Sequence, residues 1–403
     1  MITRKVLLTV EKRHNIYIVL LVMLLLFITG CANIKKVSLE DTFIERQEKE
    51  EPLMEDEIIE QNEPVQTVEE ITISAIGDIL IHSRVYDDAK EGKGYNFLPM
   101  LEHVKNYLGD TTITFANQET MIGGTEIGLS TYPAFNSPTE VGDALKAMGV
   151  NIVSLANNHT LDRGEKAIQH AIQHWEKIDM MYVGAYKNTE DQSRLRVMET
   201  EEGISVAFLA YTYGTNGIPV ADGKDYLVNL IDKEQIDLDM KIAKENADVV
   251  IVSLHFGNEY ERMPSEGQKE LAQFVADRGA NVILGHHPHV LQPVEWLTGK
   301  ERNKTFVAYS LGNFLSGQDK LYRQIGGVLK LSITKTTIDD EIEIEVHSPL
   351  FLPTYNASNN EKNYRVLPMH ALTNDILPNA QQHYEEIKTH MSQWMPELRF
   401  ITD

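Results

Sequence analysis

Seven short runs of β-forming residues recur along the chain, at 71–76, 111–116, 151–156, 206–211, 249–254, 281–284 and 305–309. Helical patterns lie between several of them, at 97–107, 137–148, 165–177, 233–246 and 265–278. Strands of four to eight residues alternating with helices of ten or more predict a layered α/β domain. Alternation alone suggests one parallel sheet. Ser137-Pro138-Thr139-Glu140 predicts a helix start with serine as N-cap and proline at the first helical position.

Six of the seven runs stop at polar clusters: Asp78, Asn117-Gln118-Glu119, Asn157-Asn158-His159, His255-Phe256-Gly257-Asn258-Glu259, Gly285-His286-His287-Pro288-His289, and Gly312-Asn313-Phe314. Ligands of open α/β sheets bind outside the carboxyl ends of the strands, where loops converge. Six such clusters therefore point to one site. Its donors are carboxylates (Asp78, Glu119), amides (Asn117, Asn158) and imidazoles (His159, His255, His287, His289), with no thiolate. That set suits Zn, Mn or Fe(II) better than a thiophilic metal. Six or more candidate ligands exceed one tetrahedral site, and two ions sharing a carboxylate would use them better.

Taken singly, Asp78 reads as a turn former, Asn157-Asn158 as a tight turn and His255 as a core histidine. Three histidines within Gly285–His289 have little structural use. If His287-x-His289 continues an extended segment, both imidazoles face the same side. In Asn158-His159 one neighbour can ligate while the other stays free as a proton donor. Asn258 and Glu259 could orient the His255 ring, as metal-bound histidines require; a plain loop cap is the alternative. Tyr132, Tyr211 and Tyr213 line a cleft or pack at the rim.

In order and spacing, Gly77-Asp78, Asn117-x-Glu119, Asn157-Asn158-His159, His255-x-Gly257-x-Glu259, Gly285-His286-His287-Pro288-His289 and Gly312-Asn313-Phe314 resemble the bacterial capsule synthesis CapA family. The resemblance covers about residues 71–320 and implies the calcineurin-like metallophosphoesterase fold: a β-sandwich of mixed sheets flanked by helices. It also implies that Asp78, Glu119, Asn158, His255, His287 and His289 ligate divalent metal, with Glu119 as bridge, and that His159 protonates a leaving oxygen. Asn117, Glu259 and Asn313 fall where residues orient ligands or touch substrate. Metallophosphoesterases usually open with Asp-x-His, whereas this chain has Asp78-Ile79-Leu80, with His82 two residues too late. Glu119 stands where an aspartate is usual. Asn117 and His82 are the available substitutes.

The first 30 residues carry Arg4, Lys5, Lys12 and Arg13 against Glu11, then an uncharged apolar run from 16 to 28. A spanning helix needs about 20 apolar residues, so residues 1–30 read as a signal peptide. Ile28-Thr29-Gly30-Cys31 resembles a lipobox, which makes Cys31, the only cysteine, the lipidation site. The alternative is an uncleaved anchor with an incidental cysteine. Residues 31–70 read as an acidic tether, with 13 acidic and 4 basic residues from Ala32 to Glu70. These assignments place the protein on the extracytoplasmic face of the cell membrane, held by its lipid anchor.

The whole chain of 403 residues has a formal charge of −23, of which residues 71–403 carry −17. Such acidity excludes nucleic acid as the main partner. Residues 321–403 are expected to complete the domain, with strands at 328–334 and 341–346, a polar loop at 356–363 and a helix at 379–391. Three functions fit. The first is a membrane-tethered protein of capsular poly-γ-glutamate biosynthesis or export that hydrolyses a phosphoester. The second is a non-enzymatic metal-binding accessory subunit of a membrane synthase or exporter, handling the anionic polymer. The third is a secreted phosphodiesterase or nucleotidase.

Overall fold

The computed structural model describes residues 66–402 except Asp340. The signal peptide, Cys31 and nearly all of the tether lie outside the described residues. Strand β1 (Gln66–Leu80) opens the domain, followed by a small hairpin of β2 (Lys90–Glu91) and β3 (Gly94–Tyr95). Next come β4 (Ile113–Gln118), β5 (Ile152–Ser154), β6 (Met181–Val183), β7 (Arg196–Glu199) and β8 (Ser205–Thr212). Then follow β9 (Val249–His255), β10 (Val282–His286), β11 (Leu291–Thr298), β12 (Lys304–Leu311) and β13 (Asn313–Ser316). The chain ends with β14 (Ile325–Ile338), β15 (Glu341–Asn359), β16 (Lys362–Pro368) and β17 (Arg399–Phe400).

These strands form two large mixed sheets. The first runs β16-β15-β14-β1-β4-β5-β6, with β13 beside β1 and β17 beside β15. The second runs β11-β12-β10-β9-β8-β7. In the first, β1 pairs parallel with β4 and antiparallel with β14. In the second, β8, β9, β10 and β12 are parallel and the edges β7 and β11 antiparallel.

The two-residue period of a strand separates the core into layers. Ile251, Leu284, Phe306, Ile73 and Phe115 pack in one cluster between the sheets. Val250, Val252, Ile283 and Val307 point the other way, onto Ile236 and Met240 of the helix Lys233–Asn246 and Leu271 and Val275 of the helix Glu266–Ala276. Ile76, Ala116 and Val153 likewise meet Ile168, Ile172 and Trp175 of the helix Gly164–Lys177. Strands buried on both faces read as continuous apolar runs. The fold is therefore the helix-flanked sandwich of mixed sheets, not the single parallel sheet that alternation suggests.

Three local expectations change. Strand β1 starts at Gln66 instead of 71, because residues 66–70 pair with 334–338 of β14. The helix expected from Ser137 starts at Glu140, with Thr139 at its N-cap position, and Ser137 Oγ donates to Thr120 Oγ1 at 2.9 Å. The polar stretch 356–363 is mostly strand: β15 and β16 turn at Asn360-Glu361, both at positive φ.

Candidate metal centre

Register brings the polar clusters together. Asp78 aligns with Asn117 across β1–β4 and with Asn313 across β1–β13, and His255 aligns with His286 across β9–β10. Two glycines permit the close strand approach behind them. A Cβ on Gly77 would lie 2.1 Å from the Gly312 carbonyl oxygen, and one on Gly285 would lie 2.0 Å from that of Tyr309. The tight contact at Gly77 lets Asp78 N–H donate to Gly312 O at 2.8 Å, which fixes the carboxylate at the strand end.

All six expected ligands, Asp78, Glu119, Asn158, His255, His287 and His289, are buried and adjacent. Ligand atoms of Glu119, His287 and His289 lie within 4.8 Å of one another, as do those of Asp78, Glu119 and His255. Glu119 belongs to both groups. Asp78 accepts from Asn117 Nδ2 at 2.9 Å, and its Oδ2 lies 3.0 Å from His289 Nδ1. His289 Nε2 is 3.5 Å and His255 Nε2 3.7 Å from Glu119 Oε1. Asn158 Oδ1 lies 2.7 Å from His255 Nε2.

The charges follow from burial and these neighbours. Burial alone would raise the Asp78 carboxyl, but His286 and His289 beside it hold it well below the ordinary range. Burial drives Glu119 well above its ordinary value. Burial depresses His287 to about 3 and His255 well below its usual value. Both are neutral imidazoles near pH 7, the form that ligates metal. His289 is the opposite case: burial opposes its charge, yet Glu119 and Asp78 lift it to about 9.

The fit to a metal rests on orphaned donors. Neither oxygen of the buried Glu119 carboxylate has a hydrogen-bond partner among the described residues, nor do Asn117 Oδ1 and His287 Nδ1. An unpaired buried carboxylate is costly unless a cation or proton satisfies it. The all-N/O donor set fits divalent ions of the Mn, Zn or Fe kind.

Other expectations meet different outcomes. The two imidazoles do converge, but not through an extended segment: β10 ends at His286, and His287 and His289 have φ of 100° and 57°. The turn, not alternation, directs both rings inward. His255 is oriented by Asn117 and Asn158 instead of Asn258 and Glu259. Asn258 donates to Glu261 Oε2, and Glu259 is exposed. Asn313 ties loops together, donating to Arg323 O at 2.8 Å and approaching His289 O at 3.4 Å. Leu80 is buried, and His82 Nδ1 is engaged by the backbone of Leu80 and Gly317. Tyr211 donates to Asp239, whereas the Tyr213 ring lies 4.6 Å from that of His287.

Two residues, Asp162 and His286, gain roles that the sequence alone does not assign. His159 Nδ1 lies 2.7 Å from Asp162 Oδ2, which also accepts from the Phe135 N–H, so the imidazole is braced by a buried carboxylate. The three-residue spacing in His159-Thr160-Leu161-Asp162 was the available signal. His286 is fully buried, stacked on Phe115, with Nδ1 3.4 Å from Asp78 Oδ1. Its register with His255 could have been read only from the sheet.

A helix-flanked sandwich of mixed sheets with a buried imidazole–carboxylate cluster at its strand ends defines an α/β protein with a candidate metal centre. The chain belongs to the bacterial capsule synthesis protein PGA_cap family, whose profile matches residues 72–318. It is 29% identical over 321 residues to the capsule biosynthesis protein CapA of Bacillus anthracis, covering 74% of this chain and 73% of that one. With the PGA biosynthesis protein CapA of Bacillus subtilis it shares 34% identity over 175 residues, 43% of this chain and 44% of the relative. Among solved structures it is similar to a provisionally named 5′-nucleotidase of Staphylococcus aureus in complex with α-ketoglutarate. That likeness has a TM-score of 0.42 and 15% identity, covering 78% of this chain and 58% of the other.

Proposed function

We propose that this capsule synthesis family member is tethered to the membrane through Cys31 on the extracytoplasmic face, with a pair of divalent ions in its histidine–carboxylate cluster, and acts on an anionic capsular polymer or a phosphoester in its synthesis or export. Glu119 is the observation that carries the metal site: a buried carboxylate without a hydrogen-bond donor, shared by two ligand groups. Glu119, His287 and His289 would hold one ion, and Asp78, Glu119 and His255 the other, with Asn158 beside His255. Bound there, the ions would supply an activated water and charge neutralisation at a phosphoryl oxygen.

The chain's own groups do the rest. Asp162 fixes His159 through Nδ1, which leaves Nε2 as the atom that carries a proton to a leaving oxygen. Asp78 keeps His289 oriented with Nε2 toward Glu119. Among the described residues no helix is long and apolar enough to cross a membrane. Attachment is assigned to a lipid on Cys31, which follows the apolar run 16–28. A membrane synthase subunit is the proposed protein partner.

A second reading, a non-enzymatic accessory subunit whose metal site organises polymer binding, is favoured by Leu80. A buried apolar side chain occupies the position where metallophosphoesterases carry histidine. Turnover of bis(p-nitrophenyl) phosphate with added Mn or Zn separates the two. Hydrolysis lost in His289→Ala supports the enzyme. A metal-loaded protein that turns over neither phosphomonoesters nor diesters supports the accessory subunit.

A further inference from the structure

The rim of the cluster holds a cation that the chemistry above does not use. Arg323, in the short helical turn Leu321–Gln324, places its guanidinium carbon 3.3 Å from the centroid of the Tyr260 ring. That ring lies 6.2 Å from the His289 ring. The positive charge is thus within one Debye length, about 10 Å at 0.1 M salt, of the cluster.

Arg323 is unlike the other half-buried arginines. Arg84, Arg196, Arg262 and Arg278 each hold a carboxylate, and Arg163 is held by the carbonyls of Ile127 and Gly128. The Arg323 guanidinium has neither kind of partner among the described residues. Its surroundings are nevertheless built. Tyr260 is held at a φ of 69°, with its N–H on Pro288 O at 2.8 Å. A bulky residue at positive φ is strained, and such strain persists where the surroundings enforce it. Asn313, in register with Asp78, bonds the Arg323 carbonyl at 2.8 Å.

We propose that Arg323, braced on Tyr260, docks an oxyanion of the substrate, a carboxylate or phosphate group carried beside the group that enters the histidine cluster. A guanidinium presents a planar fork of donors that matches either anion bidentately and stacks on aromatic faces. In a domain of net charge −17, an unpaired arginine at the site mouth gives an anionic substrate a local foothold. This inference rests on the metal-site reading above.

The test is calorimetric titration of the Mn-loaded full-length chain with a synthetic γ-linked glutamate hexamer and, separately, with phenyl phosphate. Arg323→Gln is expected to weaken one of them at least about tenfold, the size of one lost charge-assisted hydrogen bond, with Arg323→Lys intermediate and metal content unchanged. Loss confined to the hexamer identifies a polymer carboxylate, and loss confined to phenyl phosphate identifies a phosphate. Unchanged affinity for both, or failure of the unsubstituted protein to bind either, overturns the proposal. Metal content unaltered by His289→Ala would instead count against the metal-site reading.

Discussion

The Asp78 carboxylate meets the His289 imidazole at 3.0 Å, Oδ2 to Nδ1, across 211 residues of chain. Their meeting turns the far nitrogen of His289 toward Glu119. A metal-binding histidine characteristically donates its other ring N–H to a carboxylate, and loss of that partner costs about 10–100-fold in metal affinity. Asp78→Asn is therefore expected to weaken Mn or Zn binding by at least that factor, and His289→Ala further. Chelator competition measures both, and equal affinities in all three proteins would contradict the pairing.

His289, with Glu119 and then Asp78 beside it, sets the pH dependence of the metal-free protein. His289 is raised from 6.5 to about 9, so its stabilising charge is complete below pH 6.5 and lost as pH rises through 9. The shift corresponds to an effect on the order of 3 kcal/mol. Glu119, also raised, adds a loss of the same sign as pH climbs from 4.5. His287, depressed to about 3, works oppositely, its contribution fading as pH falls below 6.5. Melting temperatures of metal-free chain should fall between pH 6.5 and 9. A flat profile over that window would be at odds with a charged His289 held by Glu119 and Asp78.

Gly77→Ala should destabilise the fold by about 3 kcal/mol or more, because the new Cβ would meet the Gly312 backbone oxygen at 2.1 Å. Gly267→Ala is the control. It lies in the helix Glu266–Ala276, its nearest neighbour is 4.0 Å away, and alanine there should add about 0.5 kcal/mol. Urea denaturation of both variants decides, and equal midpoints would remove the close-approach argument.

Asp162→Asn should lower kcat on a phosphodiester by about 10–100-fold while leaving metal content intact, since it unseats His159 without touching a ligand. Replacing His159 by Ala should cost about 10²–10⁴, the usual range for a general acid. Loss of metal in Asp162→Asn would reassign that residue to the ligand set.

How much of this was legible in the sequence follows from what each residue depends on. Asp78, Glu119, His255 and the Gly285–His289 turn stand out because β runs end there, and strand ends converge. The second sheet was invisible to periodicity: Ile251 and Val252 face different layers, yet both are buried, so the run shows no alternation. The left-handed backbone at His287 and His289, and the use of Ser137 on Thr120 instead of as a cap, depend on tertiary neighbours. Arg323 acquires its role only through the Tyr260 ring of a distant segment, whereas Asp162 braces a histidine three residues before it.

Elemental analysis of the purified full-length chain after incubation with Mn, Zn or Fe(II) reads out directly whether the cluster around Glu119 holds metal. About two divalent ions per chain are expected, lost in His289→Ala and in Glu119→Gln. A chain that retains no ion under saturating conditions, or that binds equally well without Glu119, would contradict a metal site there.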